Sequence, residues 1–233
     1  MLYRIHTMAF YLFFGIFTAN LGCAQETNLT KDSSGKPIIS ESDHPAMSDP
    51  TLANKTAPDK FKVKVETTKG AFVIEVDRSW APNGADRFYN MVEIGYFQDV
   101  AIFRAIKGFM FQFGIHGDPK VNKFWKEATI KDDKNARGVS NEPGYLTFAR
   151  SGLPNSRSSQ LFINLGENGS LDRQGFTPFG KVVEGMDVLT KIETKYGENS
   201  NEVQPKFQAE GNVFIKKRYP DIDFIKSMTL VKE

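Results

Sequence analysis

Side chains able to do covalent or metal chemistry are few in these 233 residues. Cysteine occurs once, as Cys23, which excludes an intrachain disulfide, a Cys-x-x-Cys redox pair and a thiolate metal cage. Of the three histidines, His6 falls in an apolar leader and His44 in a polar stretch. That leaves His116 alone in the part that reads as folded, so a His-rich metal centre is excluded and any Ser-His-Asp triad would have to use this residue. His116 sits among turn residues in Gly114-Ile115-His116-Gly117-Asp118-Pro119, where a loop or supporting role outweighs catalysis. What remains is donor chemistry without a nucleophile. Arg104, flanked by Ile102 and Ile106 and followed by Phe109, Met110 and Gln112, sets a permanently charged group with several donors beside apolar and amide side chains. Spacing alone leaves two readings open. Arg104 is either a strand arginine in a surface ion pair or a charge-stabilising donor, and the apolar residues are either barrel core or the floor of a pocket.

These residues need a scaffold, and the composition provides for one. With 40% hydrophobic and 25% charged residues the chain is an ordinary globular protein of one or at most two domains. The formal charge is +2, and removal of residues 1–23 takes away Arg4 alone, leaving +1, so charge gives no support for a nucleic-acid partner. Residues 1–23 begin with Arg4 and His6, continue through the apolar run 8–18 and end at Asn20-Leu21-Gly22-Cys23. About 11 apolar residues are too few to span a bilayer but fit the core of a secretory signal. The end of this leader resembles a bacterial lipobox in which Cys23 becomes the lipidated first residue. Cleavage after Ala24 is the alternative and would give a soluble periplasmic protein. The stretch 24–58 has no aromatic residue and no apolar period, so it is expected to be a disordered tether, with the domain occupying 59–233.

Within that domain, Phe61, Val63 and Val65 alternate with lysines, and 71–76 follows the turn Thr67-Thr68-Lys69-Gly70, which predicts a hairpin. Pro82 opens a helix carrying Ala85, Phe88, Met91 and Val92, and Gly95 stops it. Short apolar runs recur at 101–106, 109–113, 145–149, 161–165 and 179–183. Helices are expected at 186–194 and around 208–217, and a last strand at 228–231. About seven short strands with few helices predict an all-β dominated fold, a closed barrel or sandwich with helices outside and a helical extension from about 196.

Three segments carry a more specific signal. They are Phe103-Arg104-Ala105-Ile106-Lys107-Gly108-Phe109-Met110-Phe111-Gln112-Phe113-Gly114; Gly144-Tyr145-Leu146-Thr147-Phe148-Ala149-Arg150-Ser151 with Ser158-Ser159-Gln160-Leu161-Phe162-Ile163-Asn164; and Leu171-Asp172 with Phe179-Gly180-Lys181-Val182-Val183-Glu184-Gly185-Met186-Asp187. In order and type they resemble the cyclophilin family of peptidyl-prolyl isomerases over about 60–195. The resemblance implies a closed eight-stranded antiparallel barrel capped by two helices, acting as a monomer on proline-containing polypeptides, without metal or cofactor. It assigns Arg104 and Gln112 to catalysis. Phe109, Met110, Phe162, Leu171 and Phe176 would form the proline pocket, Gln160 would orient the peptide, and Ala149, Arg150 and Ser151 would receive its backbone. Arg150 replaces an asparagine common in the family, and either pairs with an acidic substrate or is solvated. Ser170 stands where many members have a rim tryptophan and Phe176 where many have histidine, which affects substrate preference and cyclosporin affinity rather than the reaction. A proline-binding module without turnover is the alternative, and it has no need of Arg104.

Such a reaction suits the residues available. Rotation about a prolyl amide faces a barrier of about 20 kcal/mol because the bond is conjugated. No covalent bond breaks, so holding the proline and favouring the twisted amide is sufficient, and one histidine is no handicap.

Overall fold

Strand β1 (Lys60–Thr67) and strand β2 (Gly70–Asp77) form the expected hairpin, in register from Lys60 opposite Asp77 to Thr67 opposite Gly70. Val63, Val65, Phe72, Ile74 and Val76 are buried while Lys62 and Lys64 face solvent and Val73 and Glu75 are half-buried, the period-2 signature of a half-buried sheet. The computed structural model describes residues 44–198 and 203–232, so the leader, Cys23 and the tether up to residue 43 lie outside the described residues. The other strands are β3 (Val100–Ala101), β4 (Arg104–Ile106), β5 (Met110–Phe113), β6 (Tyr145–Phe148), β7 (Leu161–Asn164), β8 (Pro178–Glu184) and β9 (Phe224–Leu230). They make one curled antiparallel sheet in the order β3-β9-β1-β2-β8-β6-β7-β5-β4.

This corrects the expected closed eight-stranded barrel. The sheet has nine strands and is open between β3 and β4. The reason lies in residues 101–106, an apolar run that reads as one strand. Its first part pairs with β9 and its second with β5, so Ile102 and Phe103 cross the seam as covalent chain without a ladder.

Helix α1 (Pro82–Glu93) starts on proline and buries Ala85, Phe88, Met91 and Val92 against the sheet. Asp133 Oδ1 and Oδ2 accept from the Asn83 and Gly84 N–H groups, closing a helix end that has no cap of its own. Helix α2 (Pro119–Trp125) was not expected. Asp118 caps it by accepting from Lys120 N–H at 2.8 Å, so the Asp-Pro pair that looks like a turn is a helix start. Helix α3 (Met186–Leu189) is shorter than the predicted 186–194. Helix α4 (Gln204–Arg218) is broken at Gly211, whose φ is +66°, and a Cβ there would fall 2.1 Å from the Gly117 carbonyl oxygen. Among the described residues, no helix is long and apolar enough to cross a membrane.

The C-terminal extension is likewise built into the fold. β9 begins four residues before the predicted strand and lies inside the sheet between β3 and β1. Phe207, Ile215 and Tyr219 of the α4 region bury with Ala101, Phe103, Ile115 and Phe224 in a second apolar cluster beside the main core. Full burial of one such aromatic ring contributes about 2–3 kcal/mol.

The tether boundary at 58 is also corrected, because residues 44–57 pack on the domain. Ala46 and Met47 are buried, and Trp125 Nε1 donates to the Ala46 carbonyl at 3.0 Å. Asn90 bonds both the N–H and the carbonyl of Lys55, and Asp86 accepts from Ala57 N–H. The segment lacks aromatics of its own but uses Trp125 and polar groups of α1 to satisfy its backbone.

Candidate active site

The three strands β4, β5 and β7 place alternate residues on opposite faces of the sheet. Ala105, Phe111 and Ile163 are cross-strand neighbours pointing into the core. Arg104, Gln112 and Phe162 form the next row, so they share the outer face, with Met110 two residues along. A single cavity of about 430 Å³ opens there. All eleven residues assigned from sequence line it: Arg104, Phe109, Met110, Gln112, Ala149, Arg150, Ser151, Gln160, Phe162, Leu171 and Phe176. Ser156, Ser158 and Gln204 line it too and were not anticipated.

Arg104 is held from three sides. Its Nη1 donates to Gln112 Oε1 at 3.2 Å, its Nε and Nη2 donate to the two carboxylate oxygens of Glu198 at 2.9 and 2.5 Å, and the guanidinium carbon lies 5.9 Å from the Phe109 ring centroid. Gln112, almost fully buried, passes the chain on through Nε2 to Gln160 Oε1 at 2.8 Å. Among the described residues, three of the five guanidinium N–H groups are engaged and two remain. The floor is apolar. Met110 and Phe162 are buried, and Phe162 meets Phe176 edge to face at 5.8 Å, with Leu171 beside them.

Beneath this floor lies a polar network that motif reasoning did not assemble. Asn141 Nδ2 donates to Asp172 Oδ1 and the Phe176 carbonyl, while its Oδ1 accepts from Thr147 and Asn164. Asn168 Nδ2 donates to Asn164 Oδ1 and the Phe109 carbonyl, each at 2.7 Å. The loops bearing Phe109, Leu171 and Phe176 are thus tied to one another. Burial pushes the Asp172 carboxyl up, but hydrogen bonds from Ser140 and Asn141 outweigh it and leave the group below its ordinary range. Asn168 reads in sequence only as the start of an N-x-S triplet; burial gives its amide this different use.

Arg150 is neither solvated nor free for a substrate carboxylate. Its guanidinium donates to the carbonyls of Ser151, Leu153 and Gln174 and sits 3.8 Å from Asp132. It therefore clamps the 151–156 loop to the turn at Gly175, where φ is +81° and a Cβ would meet its Nη1 at 2.5 Å. Behind it, buried Arg157 bonds Asp133 at 3.0 Å and the Lys131 carbonyl, fixing the far side of the same loop. His116 lies away from the cavity. Its Nδ1 accepts from Asp118 N–H, its ring packs 5.1 Å from that of Tyr96, and burial holds its pKa below the usual value. Ser170 is not a cavity residue, and Trp125 is occupied at Ala46. Among the described residues, no group of three His, Cys, Asp or Glu side chains is placed to hold a metal ion.

Comparison with known proteins gives this site its context. Residues 62–213 match the family described as cyclophilin type peptidyl-prolyl cis-trans isomerase/CLD. A peptidyl-prolyl cis-trans isomerase of Acinetobacter baylyi is 34% identical over 134 residues, covering 56% of this chain and 70% of the relative. Peptidyl-prolyl cis-trans isomerase B of Escherichia coli is also 34% identical, covering 56% of this chain and 82% of its own. Among solved structures, a cyclophilin type isomerase of Cryptosporidium parvum, crystallised in the presence of the dipeptide Ala-Pro, superposes with a TM-score of 0.56 at 23% identity, covering 74% of this chain and 99% of that one. That likeness extends the agreement to the fold. The match spans the strands and loops that build the cavity, and the chain belongs to the cyclophilin-type peptidyl-prolyl cis-trans isomerases.

Proposed function

We propose that the isomerase works without covalent chemistry, with Arg104 as the transition-state donor and the cavity floor as the proline seat. As the Xaa-Pro bond twists, its nitrogen loses resonance and regains a lone pair. The two N–H groups of Arg104 left over from Gln112 and Glu198 are the donors available to that nitrogen or to the neighbouring carbonyl oxygen. The ring seats among Phe109, Met110, Phe162, Leu171 and Phe176, where apolar surface removes water from the bond being turned. Gln112 and Gln160 orient the arginine and the peptide, and 149–151 offers backbone to an extended substrate. The Ala-Pro dipeptide present with the Cryptosporidium relative is this substrate class in its smallest form.

The observation that carries this reading is the Arg104–Gln112–Gln160 chain set beside an apolar cavity. A protease-coupled isomerisation assay on a short Xaa-Pro peptide tests it. Arg104→Ala is expected to keep its circular dichroism and lose about 100-fold in kcat/KM, equivalent to about 3 kcal/mol of transition-state stabilisation. Retention of most of the activity would overturn the role given to Arg104.

The clients we propose are unfolded or partly folded proteins outside the cytoplasm. Support comes from the leader: Arg4 and His6 precede the apolar run 8–18, and the single cysteine follows it at position 23, where an anchor is chemically useful. Several acyl chains on Cys23 would give stable membrane attachment where one chain is marginal. Cys23→Ser should abolish labelling by a fatty-acid probe and leave isomerase activity unchanged. An unmodified N-terminus at Gln25 would instead make the enzyme a soluble periplasmic one.

A further inference from the structure

Glu198 lies within the span matched by the family but outside the three motif segments, and its carboxylate grips Arg104 on the Nε and Nη2 edge in the two-bond geometry that best fixes a guanidinium. The backbone delivering it is anchored. Gly197 forms an isolated β-bridge with Ala105, the next residue after Arg104. Tyr196 meets Tyr219 edge to face at 4.9 Å, tying this segment to the second apolar cluster, and Lys195 reaches Asp221 at 2.5 Å. The segment lands on β4, the terminal strand of the sheet.

From this geometry we infer that Glu198 is a positioning residue for the isomerase reaction: it holds the Arg104 guanidinium so that the two uncommitted N–H groups lie at the end occupied by Gln112 and the cavity. It rests on the reading of Arg104 as the donor. The fork takes the edge away from Gln112, so the carboxylate orients the arginine without filling the seat for proline. An arginine side chain has many rotamers, and one fixed in advance loses less entropy when the amide twists. The cost is partial neutralisation of the cation. With Glu198 59% exposed and Arg104 20%, solvent screens much of that opposing field. Residues beyond the family's motifs therefore take part in setting the rate, through one carboxylate.

A double-mutant cycle in the peptide assay on the full chain tests this, using Glu198→Ala, Glu198→Gln, Arg104→Ala and the double variant, each checked by circular dichroism. Glu198→Ala is expected to lower kcat/KM about fivefold, the scale of a well-formed exposed pair, with the loss in kcat rather than KM. Glu198→Gln should recover part of it, since an amide oxygen still accepts from one N–H. In the double variant, loss of Glu198 should add nothing to loss of Arg104. Three results would overturn the inference: unchanged kcat in Glu198→Ala, a faster enzyme showing that the carboxylate competes with substrate, or a full further loss on top of Arg104→Ala. An active Arg104→Ala would overturn the reading of Arg104 as well, and so separates the two failures.

Discussion

Replacing Asn141 with alanine removes four side-chain hydrogen bonds at a position with no solvent exposure. The four are unequal. Asn164 Nδ2 keeps the Tyr145 carbonyl, and the Thr147 hydroxyl can turn, so those losses are small. Asp172 keeps Ser140 Oγ and the Asn141 backbone N–H but gives up a charge-assisted bond of 2.7 Å. The Phe176 carbonyl gives up a donor at 2.8 Å. A buried carbonyl left without its donor costs about 1–3 kcal/mol and a bond to a charged group about 1.5–3; since both bonds are only part-buried, the low end of the sum, about 3 kcal/mol, applies. In a domain of this size that lowers the thermal midpoint by roughly 6–12 °C. The functional consequence follows from the same bonds. Phe176 packs on Phe162 across the floor, so loosening its loop should raise KM for the proline peptide more than it lowers kcat. Thermal melts by circular dichroism and the isomerisation assay report the two effects separately. A destabilisation under about 1 kcal/mol would refute the account of this network as the support of the cavity, since water or rearrangement would then have replaced every bond.

Trp125→Phe keeps an aromatic ring in the core but removes the donor to Ala46, and should cost about 1 kcal/mol and speed protease cleavage within 44–57; unchanged cleavage would show that this bond does not hold the segment. Burial favours neutral His116 in the fold, so its folded pKa lies below the ordinary 6.5. Its contribution to stability is therefore complete above that value and is lost as pH falls below it, and melts across this range should show a slope that His116→Gln flattens. Ser170 lies outside the cavity lining and supplies neither indole donor nor aromatic area, so cyclosporin should inhibit weakly relative to tryptophan-bearing cyclophilins; a wild-type titration as tight as theirs would refute this.

Arg104, Met110, Gln112 and Phe162 were legible because they lie on short strands where a shared face follows from period 2, whereas the other seven cavity residues lie outside the strands and were reached only through the family resemblance. Arg104, Gln112 and Phe162 needed only the right register to meet. Glu198 was not legible. An exposed glutamate in a polar stretch looks solvated until the fold brings the chain back past β4. Asn141 and Asn168 were missed for a related reason: an amide in a Gly- and Asn-rich loop has the composition of a turn whether it faces water or joins three buried loops. The packing of 44–57 failed on a different count. The segment has little apolar content of its own, and its partner at Ala46 is Trp125, far along the chain. The closed barrel, expected from the number of short strands and from the family resemblance, fails at the run 101–106, since hydrophobic pattern reports burial but not which neighbour each half pairs with.

The placement of β9 bears on when the molecule can fold. The final strand pairs with β1 along one edge and with β3 along the other, joining Val63 to Leu230 and Val100 to Ile225. Contacts between such distant parts of a sequence carry a loop-closure penalty before they return any energy, and they slow folding. A nascent chain still on the ribosome therefore has a sheet with a gap in its interior, and no earlier stopping point completes the ladder. Until residues 224–230 have emerged, β1 keeps an unpaired edge where Val63 and Val65 are to meet β9, and an open edge of that kind is a template for pairing with another chain. A chain truncated before β9 is therefore expected to associate through β1 rather than to persist as a slightly weaker monomer.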